Sequence, residues 1–325
     1  MRQAADPLHL RRVPQSFEEL ADLMGQNPNI TATMDGEDNI FMAPVGPPGH
    51  RSIIFQSRRV AGMMQSATLN IRIVVPLVQV LMQSRKRVDY IAVLEALREA
   101  LPQFRPELVI ADFECAQMQA WVQVYSVPVH GCYWLFSRAV SILSRTMGLT
   151  HYLRLHPRAK SKVRSLLALP LLPQNLIMEG FMSLAFEAAE EAVYAVLHTI
   201  FVRVLQTWLV GFRFEMMSVF LADHRTNNVS ESANRMLRLR TQVHHPNISL
   251  FLEAVRAMET NSYLDLLALE EHRNPGRPSR ASAVNNDIFI VNYSQALVEG
   301  QINVRRFLHL ASRRMLNIFR EYQPL

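Results

Sequence analysis

Two groups of acidic and amide residues, far apart in the chain, carry the chemistry this sequence could do. Asp112-Phe113-Glu114 closes the apolar run Leu108-Val109-Ile110-Ala111, which puts a carboxylate at the C-terminal end of an expected strand. Arg225-Thr226-Asn227-Asn228, with Glu231 three residues on and Asn234 after that, reads as an acid presented on a helix start. A strand-borne acid and a helix-borne acid drawn from distant parts of a chain are what a nuclease-type two-metal site needs. Mg²⁺ prefers oxygen ligands, and bridging carboxylates supply them.

Further matches flank these acids. They include Val75-Pro76-Leu77-Val78 ahead of Leu81-Met82, Ala111-Asp112-Phe113-Glu114, Gly131-Cys132, the run Leu167-Ala168-Leu169-Pro170-Leu171-Leu172-Pro173, Arg225-Thr226-Asn227-Asn228 with Glu231, and His245-Pro246-Asn247. In this order and approximate spacing, from about His50 to Asn247, the chain resembles the Mutator-like element (MULE) transposases. The resemblance implies an α/β fold that is helix-rich overall, with an RNase H-like (retroviral-integrase-like) core and a large all-helical insertion between the second and third acids of a three-acid site. It implies DNA transposition by two-metal strand cleavage and transfer, Mg²⁺ (or Mn²⁺) as cofactor, double-stranded DNA as partner, a homo-oligomer, and a nuclear location. Residue by residue, Asp112 corresponds to the second acid and Glu231 to the third, both catalytic and metal-binding. Arg225, Asn227 and Asn228 become candidates to touch DNA phosphates or the metal site.

Two departures from the family pattern bear on activity. Family members carry an Asp-Gly-Thr-Phe strand and a second strand before the Val-Pro-Leu-Val strand, whereas here Asn70-Ile71-Arg72-Ile73 runs straight into Val74-Val75-Pro76. The first acid is therefore absent, and impaired catalysis is expected. The alternative is a non-catalytic DNA-binding or interaction protein derived from a transposable element. Removing a central strand also exposes sheet edges, for which Ile53–Phe55 is the candidate substitute. Asp35-Gly36, the one Asp-Gly pair, precedes that segment and reads as a turn. The second departure is at Leu135, where the family's Cys-x-x-His pattern would place a His partner for Cys132.

Each sharp assignment has an ordinary counterpart. A strand-end Asp such as Asp112 commonly caps the next helix, and Glu114 suits a first helical turn. Glu231 suits a solvated first turn, and Arg225, Asn227 and Asn228 suit loop and capping chemistry. A lone Cys132 suits a small buried hydrophobe. His244-His245 reads as a loop before a helix, with no third ligand at metal spacing.

Composition sets the frame. The chain has 325 residues, 49% hydrophobic and 19% charged, which predicts a packed globular core, not a disordered chain. Its net charge of +6, nearly all from arginine, suits a polyanionic partner. Two cysteines, Cys115 and Cys132, exclude a disulfide framework and a Cys-rich zinc finger. Residues 1–7 lack the apolar run of a signal peptide, which argues against secretion. Residues 193–212 are apolar, but His198, Arg203 and Gln206 interrupt them, so a buried helix and no membrane association are expected.

The expected organisation is an N-terminal lead-in over residues 1–50 with a helix at 17–24, then the RNase H-like domain over 51–272. Strands are expected at 53–55, 74–82, 108–112 and 127–132 and helices at 89–101 and 115–124, a βαβ rhythm that predicts a largely parallel sheet. The helical insertion spans about 134–212, broken at Gly148, Pro157, Pro170 and Pro173, and a further helix is expected at 248–271. A basic Pro/Gly/Ser linker follows at 273–287, then a basic amphipathic helical tail at 288–325.

Overall fold

The structure is a computed structural model that describes residue 14 and residues 16–66, 75–243, 246–273 and 281–314. In chain order its elements are α1 Phe17–Gln26, α2 Pro28–Thr31, β1 Phe41–Val45, β2 Ser52–Phe55, α3 Arg58–Ser66, β3 Gln79–Met82, α4 Arg87–Ala100, β4 Val109–Ala111, α5 Cys115–Tyr125 and β5 Val129–Gly131. Then come α6 Tyr133–Thr146, α7 Leu149–Leu155, α8 Pro157–Leu167, α9 Ile177–Glu190, α10 Tyr194–Val204, a π-helical turn Leu205–Gly211 and α11 Arg213–Met217. The last four are α12 Asn228–Thr241, α13 Ile248–Glu270, α14 Ala281–Val298 and α15 Val304–Arg314. The chain is helix-rich with little sheet. It divides into a first unit of Met1–Pro106, Gln119–Ser126 and Asn228–Arg277, and a second of Glu107–Met118, Val127–Asn227 and Pro278–Leu325.

The first unit is built on an antiparallel sheet in the order β1-β2-β3. Every residue of β2 is buried. Because strand side chains alternate between faces, Ile53 and Phe55 join Leu20, Met24, Ile40, Leu252 and Val255 on one side, while Ile54 joins Val93, Leu94, Leu97 and Ala120 on the other. That double cover explains why Ile53-Ile54-Phe55 reads as an uninterrupted apolar run. Each of these side chains contributes about 2 kcal/mol by burial. The turn from β1 to β2 needs Gly46, whose φ is +91° and where a Cβ would lie 2.2 Å from the His50 carbonyl oxygen.

β2 pairs with β3 in the register Ser52↔Met82 to Phe55↔Gln79, so it covers an edge of the strand expected at 74–82, while β4 belongs to a separate sheet. The largely parallel sheet is not found. The tight Gly46 turn makes β1 and β2 a hairpin, and hairpin strands run antiparallel. Regular strand is also shorter than expected, at Gln79–Met82 instead of from residue 74. Pro76 has no N–H to give a ladder, and its carbonyl accepts the Ser262 hydroxyl at 3.0 Å. The junction at residues 67–74, where the sequence is expected to lack a strand, lies outside the described residues.

In the second unit, β4 and β5 pair in parallel, Val109↔Val129 to Ala111↔Gly131. The helices that follow break at the sites the sequence marks: Gly148 is left-handed (φ +71°), Pro157 begins α8, and Leu169–Leu171 is a 3₁₀ turn containing Pro170. Their shared core holds Phe136, Val163, Leu166, Leu184, Phe201 and Phe307. The apolar stretch Tyr194–Gly211 is long and apolar enough to cross a membrane by length and composition, and the burial expected of it is found on one face. One face, with Leu197, Ile200, Phe201 and Val204, enters the core, while Val196 and Val210 are exposed.

The C-terminal helices belong to this core. Residues 274–280 of the expected linker lie outside the described residues, and α14 begins at Ala281, inside the stretch read as linker. On α15, Val304, Phe307, Leu308 and Ala311 are buried, so the amphipathic helix presents only its basic face to solvent.

Candidate functional site

The C-terminal ends of β4 and β5 and the loop Arg225–Asn227 form the site that the sequence marks in the second unit. Ala111 is buried, Asp112 exposed, and Phe113 turns back toward the core. The Phe113 ring packs 5.0 Å from Phe212 and 6.4 Å from Trp208, and it fills the space beside Gly131, where a Cβ would lie 2.3 Å from ring carbons. Gly131 is therefore required by the ring that aims Asp112 outward. The Glu114 N–H donates to the Asp112 carbonyl at 2.7 Å, and the Glu114 carbonyl accepts from Met118, placing Glu114 at the mouth of α5.

The loop is tied down from both sides. The Tyr133 N–H donates to the Arg225 carbonyl at 2.9 Å, and the Asn227 N–H donates to Cys132 Sγ at 3.5 Å. Asn227 Nδ2 donates to Asp112 Oδ1, while Asn227 Oδ1 is buried without a hydrogen-bond partner. Cys132 is fully buried, and burial pushes its thiol up. The Arg225 guanidinium is paired with Asp287, and burial lowers its pKa. Next to it, burial holds the Tyr133 phenol well above its usual range.

Asp112, Asn227 and Arg225 are thus brought into one neighbourhood, with Arg225 engaged internally. Glu231 and the start of Asn228 belong to the first unit: Glu231 sits in the first turn of α12, half-buried, and Asn228 begins that helix. The Asn228 side chain, like His244 and His245, lies outside the described residues. Sequence reasoning missed Asp287, because nothing local marks an acid 62 positions away as the partner of Arg225. It also missed Phe113 as the reason for Gly131, although a Gly ending a β-strand hints at a close approach.

A two-cation site needs three carboxylates in reach of one another. This strand end carries Asp112, one of whose oxygens accepts an amide N–H, with Glu114 two residues on at the start of α5. Among the described residues, no group of three His, Cys, Asp or Glu is placed to hold a metal ion.

Comparison with protein-family models, curated proteins and solved structures finds no match.

Proposed function

We propose that this chain is a MULE transposase-like protein with an RNase H-like core, impaired in the strand cleavage and transfer that the family resemblance implies. The reading is carried by Asp112: it ends a strand of a parallel pair, and the helices α6 to α11 follow where the family's insertion is expected. Impairment is supported by the missing first acid and by the Asn227 amide bound to Asp112. A carboxylate that accepts an amide N–H offers fewer lone pairs to a hard cation. DNA binding is supported by the +6 charge, which would make affinity salt-dependent through counterion release.

The experiment is a plasmid-nicking assay on the full chain with Mg²⁺ or Mn²⁺, alongside duplex-binding measurements over a range of salt. The expected outcome is salt-sensitive, metal-independent binding without nicking. Metal-dependent nicking that disappears in Asp112→Ala would overturn impairment. Absence of duplex binding would overturn the DNA reading. Weak nicking at high Mn²⁺ that Asp112→Ala removes would mark residual chemistry, whereas binding unchanged in Asp112→Ala at every metal concentration leaves the second reading, a non-catalytic binder derived from a transposable element.

A further inference from the structure

Away from the strand end, within the second unit, α8, α9 and the start of α15 enclose a cleft of about 610 Å³. Its walls carry Arg158, Lys162, Arg305, Arg306 and His309 against two carboxylates, Glu187 and Glu191. Four of these charges cancel in a fixed network. Lys162, 6% exposed, is paired with Glu187 and lies 2.8 Å from Glu191, and Arg305 Nε lies 2.5 Å from the other Glu187 oxygen. A buried ammonium needs such partners, so this network is structural.

Arg158 and Arg306 are left over. Both are exposed, and neither has a carboxylate at ion-pair distance among the described residues. His309 faces the same cleft, half-buried. Burial first, then the nearby Arg313, Arg306 and Lys162 charges, lower its pKa, against the opposing pull of Glu187. The N-terminal end of α15 opens here too, capped by Asn303, whose side-chain oxygen accepts the Arg306 N–H at 2.8 Å.

We propose that this cleft binds the phosphate groups of a nucleic-acid backbone, with Arg158 and Arg306 as its two clamps over a neutral strut. A guanidinium presents paired donors that match two phosphate oxygens, and a concave cationic wall concentrates the field. An anion seated beside His309 favours the protonated imidazole, so binding strengthens as pH falls through the histidine range. The choice of duplex DNA as the source of the phosphates rests on the function proposed above, whereas the phosphate chemistry does not.

The test uses the full chain, measuring anisotropy of a short labelled duplex and calorimetry with tripolyphosphate, for wild type, Arg158→Gln/Arg306→Gln and His309→Gln. The double variant is expected to bind duplex roughly ten-fold more weakly with a shallower salt dependence, an unchanged unfolding midpoint, and no tripolyphosphate binding. His309→Gln is expected to lose the pH dependence alone. If wild type binds duplex and the double variant binds it equally well, the cleft is not the site and the proposed function survives. If wild type binds tripolyphosphate but not duplex, the cleft stands as a free-polyphosphate site and the DNA reading falls. If wild type binds neither, both fall.

Discussion

Two carboxylates near the ends of strands show how differently the two units use the same group. In the first unit, Asp89 is fully buried at the start of α4, where it accepts from the Ser84 hydroxyl, from the Lys86 N–H at 2.8 Å and from His50 at 3.0 Å. Burial pushes its pKa up, yet these hydrogen bonds overcome burial and the net shift is downward. In the second unit, Asp112 is exposed and held by one Asn227 amide. A saturated, buried carboxylate is committed to holding the fold, whereas an exposed one with a single polar neighbour is free to meet a ligand. Arg59 repeats the first pattern: it bridges Glu259 at 2.8 Å and Asp35 and lies over the Tyr263 ring, and it holds the Asp35 carboxyl far below the usual range.

The largest effect expected of any substitution that breaks this contrast is at Asp89. Asp89→Ala removes a buried acceptor shared by three donors, on His50, Ser84 and Lys86, that lie nearer the surface, and should cost about 2 kcal/mol, read as a lower denaturant midpoint. A cost near zero would mean that the carboxylate is not the anchor described.

Gly131→Ala comes close behind. Its Cβ meets Phe113, which is itself wedged against Phe212 and Trp208, so about 2 kcal/mol of overpacking is expected in the second unit. Near-UV circular dichroism should report the displaced ring.

pH separates the units further. His130 on β5 is held below its usual pKa by burial, and its Nδ1 has no hydrogen-bond partner. Its folded pKa lies below the unfolded value, so its contribution is fully present above about pH 6.5 and is lost as pH falls through the histidine range. His309 has the same sign. Asp89 has the depressed-carboxylate sign, so its contribution is lost only as pH falls below about 4. Trp134 and Trp208 lie in the second unit and Trp121 in the first, so single-tryptophan variants should show the second unit loosening first on acidification. Simultaneous loosening would remove the distinction.

The smallest effect belongs to Asp112→Ala. An exposed residue with one amide bond should change stability by no more than about 0.5 kcal/mol. A loss of several kcal/mol would make Asp112 a structural residue and weaken its candidacy as a site.

Local signals in the sequence were enough for much of the secondary structure. Ser16 caps α1 by accepting the Glu19 N–H, and Asn247 caps α13 by accepting the Leu250 N–H, both short-range bonds that residue type announces. Gly148 can take the left-handed φ that separates α6 from α7, and Pro157, without an N–H, suits the first position of α8, and both follow from residue type. Asp35-Gly36 is the turn its residues suggest, with Gly36 at φ +78°. Asp112 at a strand end was legible for the same reason.

Pairing was not legible. The βαβ rhythm gives the order of elements, but which strand a given edge meets depends on distant segments, and β3 found β2 instead of a parallel neighbour. The ion pairs Arg225–Asp287 and Arg59–Glu259 join positions 62 and 200 apart, and no local pattern specifies such partners. The basic C-terminal helix illustrates the division. Its amphipathic spacing fixed which face would be apolar, but only the tertiary core decided that this face would be buried. That burial turned Arg305, Arg306 and His309 toward one cleft with Arg158 and Lys162. Periodicity is set by backbone geometry within a few residues, whereas burial and charge pairing are set by whatever the rest of the chain brings alongside.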